Sequence, residues 1–288
     1  MLSINSLSTS RILVIGGSGF LGSNIINIFQ EFGVNNITCG DIVKNTDLNC
    51  SFIKIDLLNS SDLFKDLSGF DLIINCTGQI TDPFNLCFKL NSEGIDNLLE
   101  SIDSRVRIIH ISTVAVYGSS EFCDENSSLN PETNYAVAKA FAEKKIIKSC
   151  DEKQFAILRL SNLYGFNQAK GISAYIIDSY KSDKKLVFNN NGDLIRSYIH
   201  VYDCVKVIYE IVKNDLFGIF NIKGDETLSI KELVKSFEKE FKTNFDIHYS
   251  NVNPWENILN LSNSKITKSI NHANSWTLTN HFKSQIKN

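Results

Sequence analysis

A short apolar run followed directly by regularly spaced glycines constrains the fold of this chain more than any other feature. Arg11–Ile15 has the character of a buried strand, and three glycines follow it with GxxGxxG spacing. From Phe20 to Glu31 the apolar residues recur at helical intervals. Glycines at a strand–helix turn let a pyrophosphate approach the backbone N–H groups at the helix N-terminus. The segment therefore predicts a dinucleotide-binding loop, formed by Gly16, Gly19, Phe20, Leu21 and Gly22.

Short apolar runs alternate with helical patterns over much of the remaining chain. The six further strand candidates are Ile37–Asp41, Phe52–Asp56, Asp71–Asn75, Arg107–Ser112, Phe155–Arg159 and Gly218–Ile222. The predicted helices are Ser60–Leu67, Leu86–Ser101, Asn134–Ser149 and Asp203–Lys213. Apolar strands separated by helices indicate a parallel sheet covered on both faces. The expected fold class is α/β, a Rossmann-type doubly wound parallel sheet with a smaller, discontinuous α/β substrate lobe.

The alternation of strands and helices loosens after Gly165, which predicts a second lobe. The dinucleotide-binding domain is expected to span 1–166 plus 196–225, because the last strand candidate returns to the sheet. The remaining segments, 167–195 plus 226–288, are expected to form the substrate-binding lobe.

Composition argues against several other classes of protein. The 288 residues are 43% hydrophobic and 21% charged, with a net charge of −3, so neither nucleic-acid binding nor wholesale disorder is expected. The seven cysteines are odd in number and include no CxxC pair, which argues against a disulfide framework or a metal site. No apolar run of about 18 residues is present, and Met1–Ser10 lacks the pattern of a signal peptide. We therefore expect a cytoplasmic protein that binds no metal, nucleic acid or membrane.

An acidic residue follows the glycine loop at the distance expected of a ribose-binding acid. Asp41 ends the second strand candidate, about 20 residues after the loop. Its carboxylate would accept hydrogen bonds from the ribose hydroxyls and repel a 2′-phosphate. NAD is therefore the expected cofactor. Lys44 lies near enough to keep NADP open, and an ordinary strand-end aspartate is the alternative interpretation.

Tyr135 and Lys139 form a YxxxK pair on a predicted helix, where a spacing of four puts both side chains on one face. A lysine cation beside a phenol favours the phenolate, which could then take a hydroxyl proton. Ser112–Gly118 closes the fifth strand candidate and brings hydroxyls to the carboxyl edge of the sheet, where such folds bind ligands. Outside this context, YxxxK would be an ordinary surface pair.

Six segments together resemble the extended short-chain dehydrogenase/reductase family and, within it, the NAD-dependent sugar-nucleotide epimerase/dehydratase group. They are GGSGFLG at 16–22, STVAVYG at 112–118, YAVAK at 135–139, RLSNLYG at 159–165, RSYIHVYD at 196–203 and FNIKGDETLSIKELV at 220–234. The resemblance covers nearly the whole chain. It implies a nucleotide-sugar substrate.

The resemblance implies that Thr113, Tyr135 and Lys139 are the catalytic triad, and that Tyr135 and Lys139 also contact the cofactor. One departure from the family pattern is informative. Val114 and Ala115 stand where the 4,6-dehydratases of the family carry an Asp-Glu pair. No acid is then placed to protonate a leaving hydroxyl, which disfavours dehydration.

Further contacts follow from the same resemblance. Asp56 and Leu57 match residues near the adenine, and Asn91 matches an asparagine near the cofactor. Asn162 matches a substrate-contacting asparagine, and Thr113 would contact the substrate as well. Arg196 matches an arginine that holds the nucleotide diphosphate, a task suited to a rigid guanidinium. A surface arginine is the alternative.

Three functions stay open. The leading one is an NAD-dependent epimerase of a nucleotide-activated sugar, acting at C4 through a transient keto-sugar. The alternative is an NAD(P)H-dependent reductase of a nucleotide-linked 4-keto-6-deoxy sugar. The short second lobe favours the reductase, whereas Asp41 favours the epimerase. The third is a non-catalytic dinucleotide-binding protein, which would not need the triad.

A homodimer is also expected. The predicted helices Leu86–Ser101 and Asn134–Ser149 carry apolar residues on more than one side. The resemblance implies this state too, because similar enzymes often pair through these helices as a four-helix interface. The alternative is that all of these residues face the sheet.

Overall fold

Residues 7–59, 67–78 and 82–286 are described in this computed structural model. Their strands are β1 (Ile12–Ile15), β2 (Ile37–Asp41), β3 (Ser51–Lys54), β4 (Leu72–Asn75), β5 (Arg107–Thr113), β6 (Phe155–Leu160), β7 (Asn162–Tyr164), β8 (Lys185–Phe188), β9 (Ile195–His200), β10 (Gly218–Ile222), β11 (Glu226–Ser229) and β12 (Asp246–Tyr249). Their helices are α1 (Phe20–Glu31), α2 (Phe84–Asn91), α3 (Glu93–Glu100), α4 (Asn134–Ser149), α5 (Ile172–Lys181), α6 (Val201–Lys213), α7 (Ile230–Phe241), α8 (Ser264–Ser269) and α9 (Leu278–Ile286). Within these three ranges, no helix is both long and apolar enough to cross a membrane.

Seven strands form one parallel sheet in the order β3-β2-β1-β4-β5-β6-β10. β1 and β4 are buried along their whole length, as expected of central strands covered on both faces. The strand order reverses between β1 and β4, and doubly wound sheets bind ligands beyond the carboxyl ends of the strands at such a point. The predicted Rossmann-type α/β fold is confirmed, and the glycine loop after β1 lies at this crevice.

The predicted elements agree well with the observed ones. Each strand candidate corresponds to a strand of the large sheet, with ends that agree within two residues. The helix predicted at Asn134–Ser149 has the bounds of α4, whereas the one predicted at Leu86–Ser101 is divided at Ser92 into α2 and α3. The Ser92 backbone leaves helical geometry, and its hydroxyl donates to the carbonyl oxygen four residues earlier at 2.6 Å. Except for its last residue, the helix predicted at Ser60–Leu67 lies outside the described residues.

A second, smaller core lies outside the large sheet. It packs beside the mixed sheet β11-β9-β7 and the parallel pair β12-β8. Its buried side chains come from α5, β8, α7 and α9 and include Ile176, Leu186, Leu233, Phe237 and Phe282. By contrast, Ile266 in α8 and Ile270 directly after it pack in the core of the large sheet.

Two buried histidines lie in an aromatic cluster between β9 and the C-terminal helix. The ring of His200 stacks on Trp276 at a centroid distance of 4.5 Å and lies 5.5 Å from the ring of His281. Burial, with a smaller contribution from His281, lowers the pKa of His200 to about 3. Burial alone lowers the pKa of His281 to about 4. Both imidazoles are therefore neutral in the folded chain at physiological pH.

These histidines should make the protein sensitive to acid. An unfolded histidine takes up a proton below a pKa of about 6.5, whereas the folded one stays neutral until pH falls to about 4 or lower. The folded state therefore has its full stability above about pH 6.5 and loses stability as pH falls towards 4. We expect each histidine to lower the free energy of unfolding by about 2 kcal/mol between pH 7 and pH 5. Urea unfolding of His281→Phe should show a weaker pH dependence in this interval than the wild type. His248→Phe, at an exposed position, is the control, and an unchanged pH dependence in His281→Phe would contradict the prediction.

Candidate active site

The glycine loop leaves the backbone at the start of α1 open to an anion. Gly16 has a φ of 76°, a left-handed conformation that favours glycine. A Cβ at Gly22 would overlap the carbonyl oxygen of Gly16, so the turn and the helix approach this closely only without a side chain. α1 begins after Gly19 with no side-chain cap and no acidic residue in its first turn. Its N–H groups and the positive end of its dipole therefore fit the pyrophosphate of a dinucleotide.

A cleft of about 710 Å³ extends from this loop along the carboxyl edge of the sheet. The loop residues that line it are Gly16, Gly19, Phe20, Leu21 and Gly22. Thr113, Tyr135 and Asn162 line the same cleft. Its volume is typical of small-molecule and cofactor sites, which measure roughly 300–1,000 Å³.

A second pocket, of about 190 Å³, adjoins the cleft. Thr113, Tyr135 and Asn162 line both cavities, and the second pocket adds Arg196 and Glu256. The structure therefore brings together residues that the sequence predicted separately for catalysis and for substrate binding. They meet where a cofactor-sized cleft joins a smaller pocket.

Thr113 is held at the carboxyl end of β5. Its backbone is extended, and its Oγ1 accepts a hydrogen bond from the backbone N–H of Ala115 at 3.2 Å. This contact caps a short 3-10 helix, Val114–Tyr117. It uses an acceptor lone pair of the hydroxyl, so the hydroxyl hydrogen can still be donated to a substrate oxygen.

Tyr135 lies in the first turn of α4. Thr133 is the N-cap of this helix, and its Oγ1 accepts a hydrogen bond from the backbone N–H of Ala136 at 3.2 Å. The cap starts the helix at the residue before Tyr135, which is half-buried and faces both cavities.

Lys139, one turn later, is completely buried and is not among the described residues that line either cavity. Its Nζ donates to the carbonyl oxygens of Thr77 and Ile111, each at 2.9 Å. Burial lowers the pKa of Lys139 to about 8, against the opposing effects of Cys87, Cys76 and Glu143. The amine is thus mostly protonated at neutral pH. Its direct contact with the cofactor stays a prediction.

The other predicted cofactor residues do not line the cleft, as far as the described residues define it; they are Asp41, Asp56, Leu57 and Asn91. Asp41 faces the glycine loop, since its Oδ2 accepts a hydrogen bond from the backbone N–H of Ser18 at 3.0 Å. Asn91 is buried, and its Nδ2 donates to the carbonyl oxygen of Gly78 at 3.1 Å. Both residues therefore shape backbone segments near the sheet's carboxyl edge.

Arg196 is half-buried in the smaller pocket. Its Nη1 donates to the carbonyl oxygens of Ile195 at 3.2 Å and Glu256 at 2.5 Å, and its Nη2 lies 3.8 Å from Oε2 of Glu256. Thr133 Oγ1 donates to the other carboxyl oxygen of Glu256 at 2.5 Å. Burial lowers the pKa of Arg196 and raises the pKa of Glu256. A diphosphate bound at Arg196 would share this guanidinium with Glu256.

Two residues of the candidate site, Thr133 and Glu256, were not predicted from the sequence. Glu256 lies in a segment without strand or helix periodicity, and its partners Arg196 and Thr133 are 60 and 123 positions away. No local pattern could have found it. Thr133 did have a signal, because a threonine directly before a helix is an N-cap pattern.

A buried polar network supports the strand end that carries Thr113. Ser112 Oγ donates to Oε1 of Glu143 at 2.5 Å. Glu143 is paired with Arg159 at 2.7 Å, and Arg159 Nη1 donates to the phenolic oxygen of Tyr117 at 2.8 Å. The network therefore joins α4 to β5 and β6 behind the candidate catalytic residues.

The model of the NAD dependent epimerase/dehydratase family matches residues 12–222. The chain belongs to this family. The family resemblance inferred from the six motifs is thereby confirmed. NAD as the cofactor and an enzymatic role are confirmed with it.

Proteins similar to this chain include an epimerase and a dehydrogenase of nucleotide-linked sugars. It is 26% identical over 259 residues to ADP-L-glycero-D-manno-heptose-6-epimerase from Brachyspira hyodysenteriae, with 81% of each chain covered. It is 26% identical over 255 residues to GDP-6-deoxy-D-talose 4-dehydrogenase from Aggregatibacter actinomycetemcomitans, covering 81% of this chain and 83% of that one. Its fold matches UDP-glucuronic acid 4-epimerase from Bacillus cereus, solved with UDP-glucuronic acid and NAD, with a TM-score of 0.83, 23% identity, and 96% and 98% of the two chains covered. At that identity the structural likeness shows the fold alone.

Proposed function

We propose that this enzyme is an NAD-dependent epimerase of a nucleotide-activated sugar that inverts C4 through a transient keto-sugar. One observation carries the proposal: Thr113, Tyr135 and Asn162 face both the dinucleotide cleft and the pocket that contains Arg196. A sugar seated at this junction would have its reacting carbon between the cofactor and the proton-transfer group. The names of the relatives, which are enzymes of nucleotide-linked sugars, support the substrate class.

The catalytic roles follow from the side chains at the junction. Tyr135 takes the proton of the reacting hydroxyl and later returns it, as a general base and then a general acid. Thr113 donates its hydroxyl hydrogen to the same oxygen. The buried cation of Lys139 favours the phenolate of Tyr135 from the next turn of α4. Bound NAD supplies reversible hydride acceptance at the sugar carbon.

The remaining predicted residues are proposed to position cofactor and substrate. The glycine loop holds the pyrophosphate of NAD, Asp41 the ribose hydroxyls, and Asp56 with Leu57 the adenine end. Asn91 shapes the cofactor side of the crevice through Gly78. In the smaller pocket, Asn162 contacts the sugar and Arg196 contacts the diphosphate.

Two features favour epimerisation over dehydration. Val114 and Ala115, the residues directly after Thr113, carry no acid. The carboxyl group that does line the pocket, on Glu256, is hydrogen-bonded to Thr133 and lies next to Arg196. It is therefore engaged with protein groups rather than placed to protonate a leaving hydroxyl.

We also propose the division of labour between two lobes, with 1–166 plus 196–225 binding the dinucleotide and 167–195 plus 226–288 binding the substrate. The smaller core supports this division. Ile266 and Ile270 pack in the larger core. The stretch around α8, although it falls within 226–288, is therefore packed against the dinucleotide-binding lobe. The seven free cysteines suit the reducing conditions of the cytoplasm, which is the proposed location.

The purified enzyme should interconvert two epimeric nucleotide sugars without added cofactor. Hydride must return to the same sugar, so an epimerase gains from keeping its NAD bound, and Asp41 suits the two free ribose hydroxyls of NAD. The test removes free nucleotides, supplies candidate nucleotide sugars, and follows both the sugar product and the absorbance of reduced cofactor. We expect epimer formation with no net change in absorbance.

Two results would contradict the proposed epimerase. Stoichiometric consumption of added NADPH with a 4-keto-6-deoxy sugar nucleotide, and no epimer, would establish the reductase instead. NAD binding without turnover of any nucleotide sugar would indicate a non-catalytic dinucleotide-binding protein.

We propose a homodimer formed through α2 and α4. Their outer faces carry exposed apolar side chains, namely Phe84, Phe88, Val137, Phe141 and Ile147. The ring centroids of Phe88 and Phe141 lie 5.7 Å apart, so the two helices present one continuous apolar surface. Exposed patches of this kind commonly mark protein interfaces.

Light scattering at micromolar concentration should give the mass of a dimer, and Phe88→Glu with Phe141→Glu should give a monomer. A buried carboxylate in each protomer would make the interface unfavourable. Phe122→Glu, at an exposed phenylalanine on another surface, is the matched control. A monomeric wild type, or a double variant that stays dimeric, would contradict this proposal.

A further inference from the structure

One wall of the substrate pocket presents only apolar side chains. This apolar wall consists of Val114, Ala115, Ile258 and Leu261, and it begins directly after Thr113 in the chain. Val114, Ile258 and Leu261 are 8%, 7% and 6% exposed and pack in one buried cluster. A substrate group that lies against this wall, beside the oxygen held by Thr113, would therefore meet hydrocarbon.

The backbone behind the apolar wall is already hydrogen-bonded within the protein. Segment 257–262 runs beside segment 120–123, and the N–H of Ser120 donates to the carbonyl oxygen of Asn257 at 3.0 Å. The N–H of Leu259 donates to the carbonyl oxygen of Ser120 at 3.0 Å, and the N–H of Cys123 donates to the carbonyl oxygen of Asn260 at 2.9 Å. A sugar hydroxyl placed against this wall would find these backbone groups already paired.

The polar side chains of the pocket lie outside the apolar wall and have other partners or roles. Ser197 shares a hydrogen bond with Thr227 at 2.9 Å. Glu256 accepts from Thr133 and lies beside Arg196. Thr113 and Tyr135 would hold the reacting oxygen, which leaves Asn162 for the ring hydroxyls. A further hydroxyl at the apolar wall would therefore lose its hydrogen bonds to water without replacement.

We infer that the substrate carries a methyl group rather than a hydroxymethyl group beside the reacting carbon, so that it is a nucleotide-linked 6-deoxyhexose. This inference rests on the proposed epimerase function. With the C4 oxygen at Thr113, the next residues meet a substituent of a neighbouring ring carbon. C3 carries an oxygen, whereas C5 carries the exocyclic C6, which is the group that can be apolar. A methyl at C6 matches the apolar wall.

The expected preference is moderate. Hydrophobic pockets discriminate against an added hydroxyl by about 10²-fold at most, because a small polar group can be partly accommodated. We therefore expect kcat/KM, and the affinity of the enzyme for the nucleotide sugar, to favour the 6-deoxy compound by roughly 10- to 100-fold over the 6-hydroxy compound of the same configuration.

The test uses matched pairs of nucleotide sugars that differ only at C6, in the UDP, dTDP and GDP series, with the NAD-loaded enzyme. Calorimetry gives the dissociation constant of each compound, and product analysis gives kcat/KM for epimerisation. Val114→Thr adds a hydroxyl to the apolar wall at nearly constant side-chain volume and should reduce the preference at least several-fold. Val187→Thr, the same change at an exposed strand position, should leave the preference unchanged. Ala115→Ser is a second variant of the wall if Val114→Thr folds poorly.

The outcomes separate this inference from the proposed function. Preferential binding of the 6-deoxy compounds without any epimer supports the inference and removes the epimerase. Epimerisation of both members of a pair with equal kcat/KM removes the inference and leaves the epimerase in place. A wild-type preference that survives both wall variants also overturns the inference, because the wall would not be its origin. Failure of every pair to bind overturns both.

Discussion

Replacing Tyr135 with phenylalanine should lower kcat by about 10²- to 10⁴-fold, the usual contribution of a general acid–base group. The substitution removes the phenolic oxygen and keeps the ring that lines both cavities. The cleft around the glycine loop would keep its shape, so the dissociation constant of NAD should change by no more than a few fold. The measurement is single-turnover epimerisation together with NAD binding by fluorescence titration.

The control is Tyr180→Phe, which removes a phenolic oxygen from the smaller core without touching either cavity. It should leave kcat within about two-fold of the wild type, as surface or peripheral changes usually do. Near-normal turnover in a well-folded Tyr135→Phe enzyme would rule out Tyr135 as the essential acid–base. A parallel loss of NAD affinity would show instead that the phenol positions the cofactor.

Much of the fold was predictable because its signals are local. The glycines of the first turn, the apolar strands and the helical periodicity of α4 each act within a few residues. The bounds of α4 were predicted without error. The break at Ser92 was not predicted, since the apolar pattern of α2 continues into α3 although the Ser92 backbone leaves helical geometry.

The candidate site was predictable in part. Thr113 and Tyr135 meet because the carboxyl ends of parallel strands and the following helix share one edge of the sheet. Helical spacing placed Lys139 on the face of Tyr135, but spacing does not report depth. The buried amine is held by the carbonyl groups of Thr77, just after β4, and Ile111, in β5. Glu256 depends entirely on tertiary contacts.

Breaking the buried Glu143–Arg159 ion pair should destabilise the protein strongly. Its side chains are 1% and 3% exposed, and Arg159 also donates to Tyr117. Removing one partner leaves a charge buried without compensation, which typically costs about 3–5 kcal/mol of unfolding free energy. We therefore expect losses of that size for Glu143→Leu and for Arg159→Met, measured by urea unfolding.

The double variant Glu143→Leu/Arg159→Met should recover much of the loss of either single variant, since it leaves neither charge behind and fills the same volume with apolar groups. Arg105→Met is the matched control, because Arg105 forms an ion pair with Asp103 at a site where its side chain is 75% exposed. That variant should unfold like the wild type. Single variants at Glu143 or Arg159 that behave like Arg105→Met would show that water or a rearranged side chain compensates the remaining charge.

The same variants distinguish stability from positioning. Ser112, which donates to Glu143, directly precedes Thr113, so the network fixes the strand end that carries the candidate hydroxyl. If it only stabilises the fold, the double variant should regain kcat along with unfolding free energy. If it also positions Thr113, the double variant should regain stability while kcat stays low, because no hydrogen bond then holds Ser112 in place. A displaced Thr113 at the reacting oxygen can cost about 10²-fold in rate, so the two outcomes are well separated.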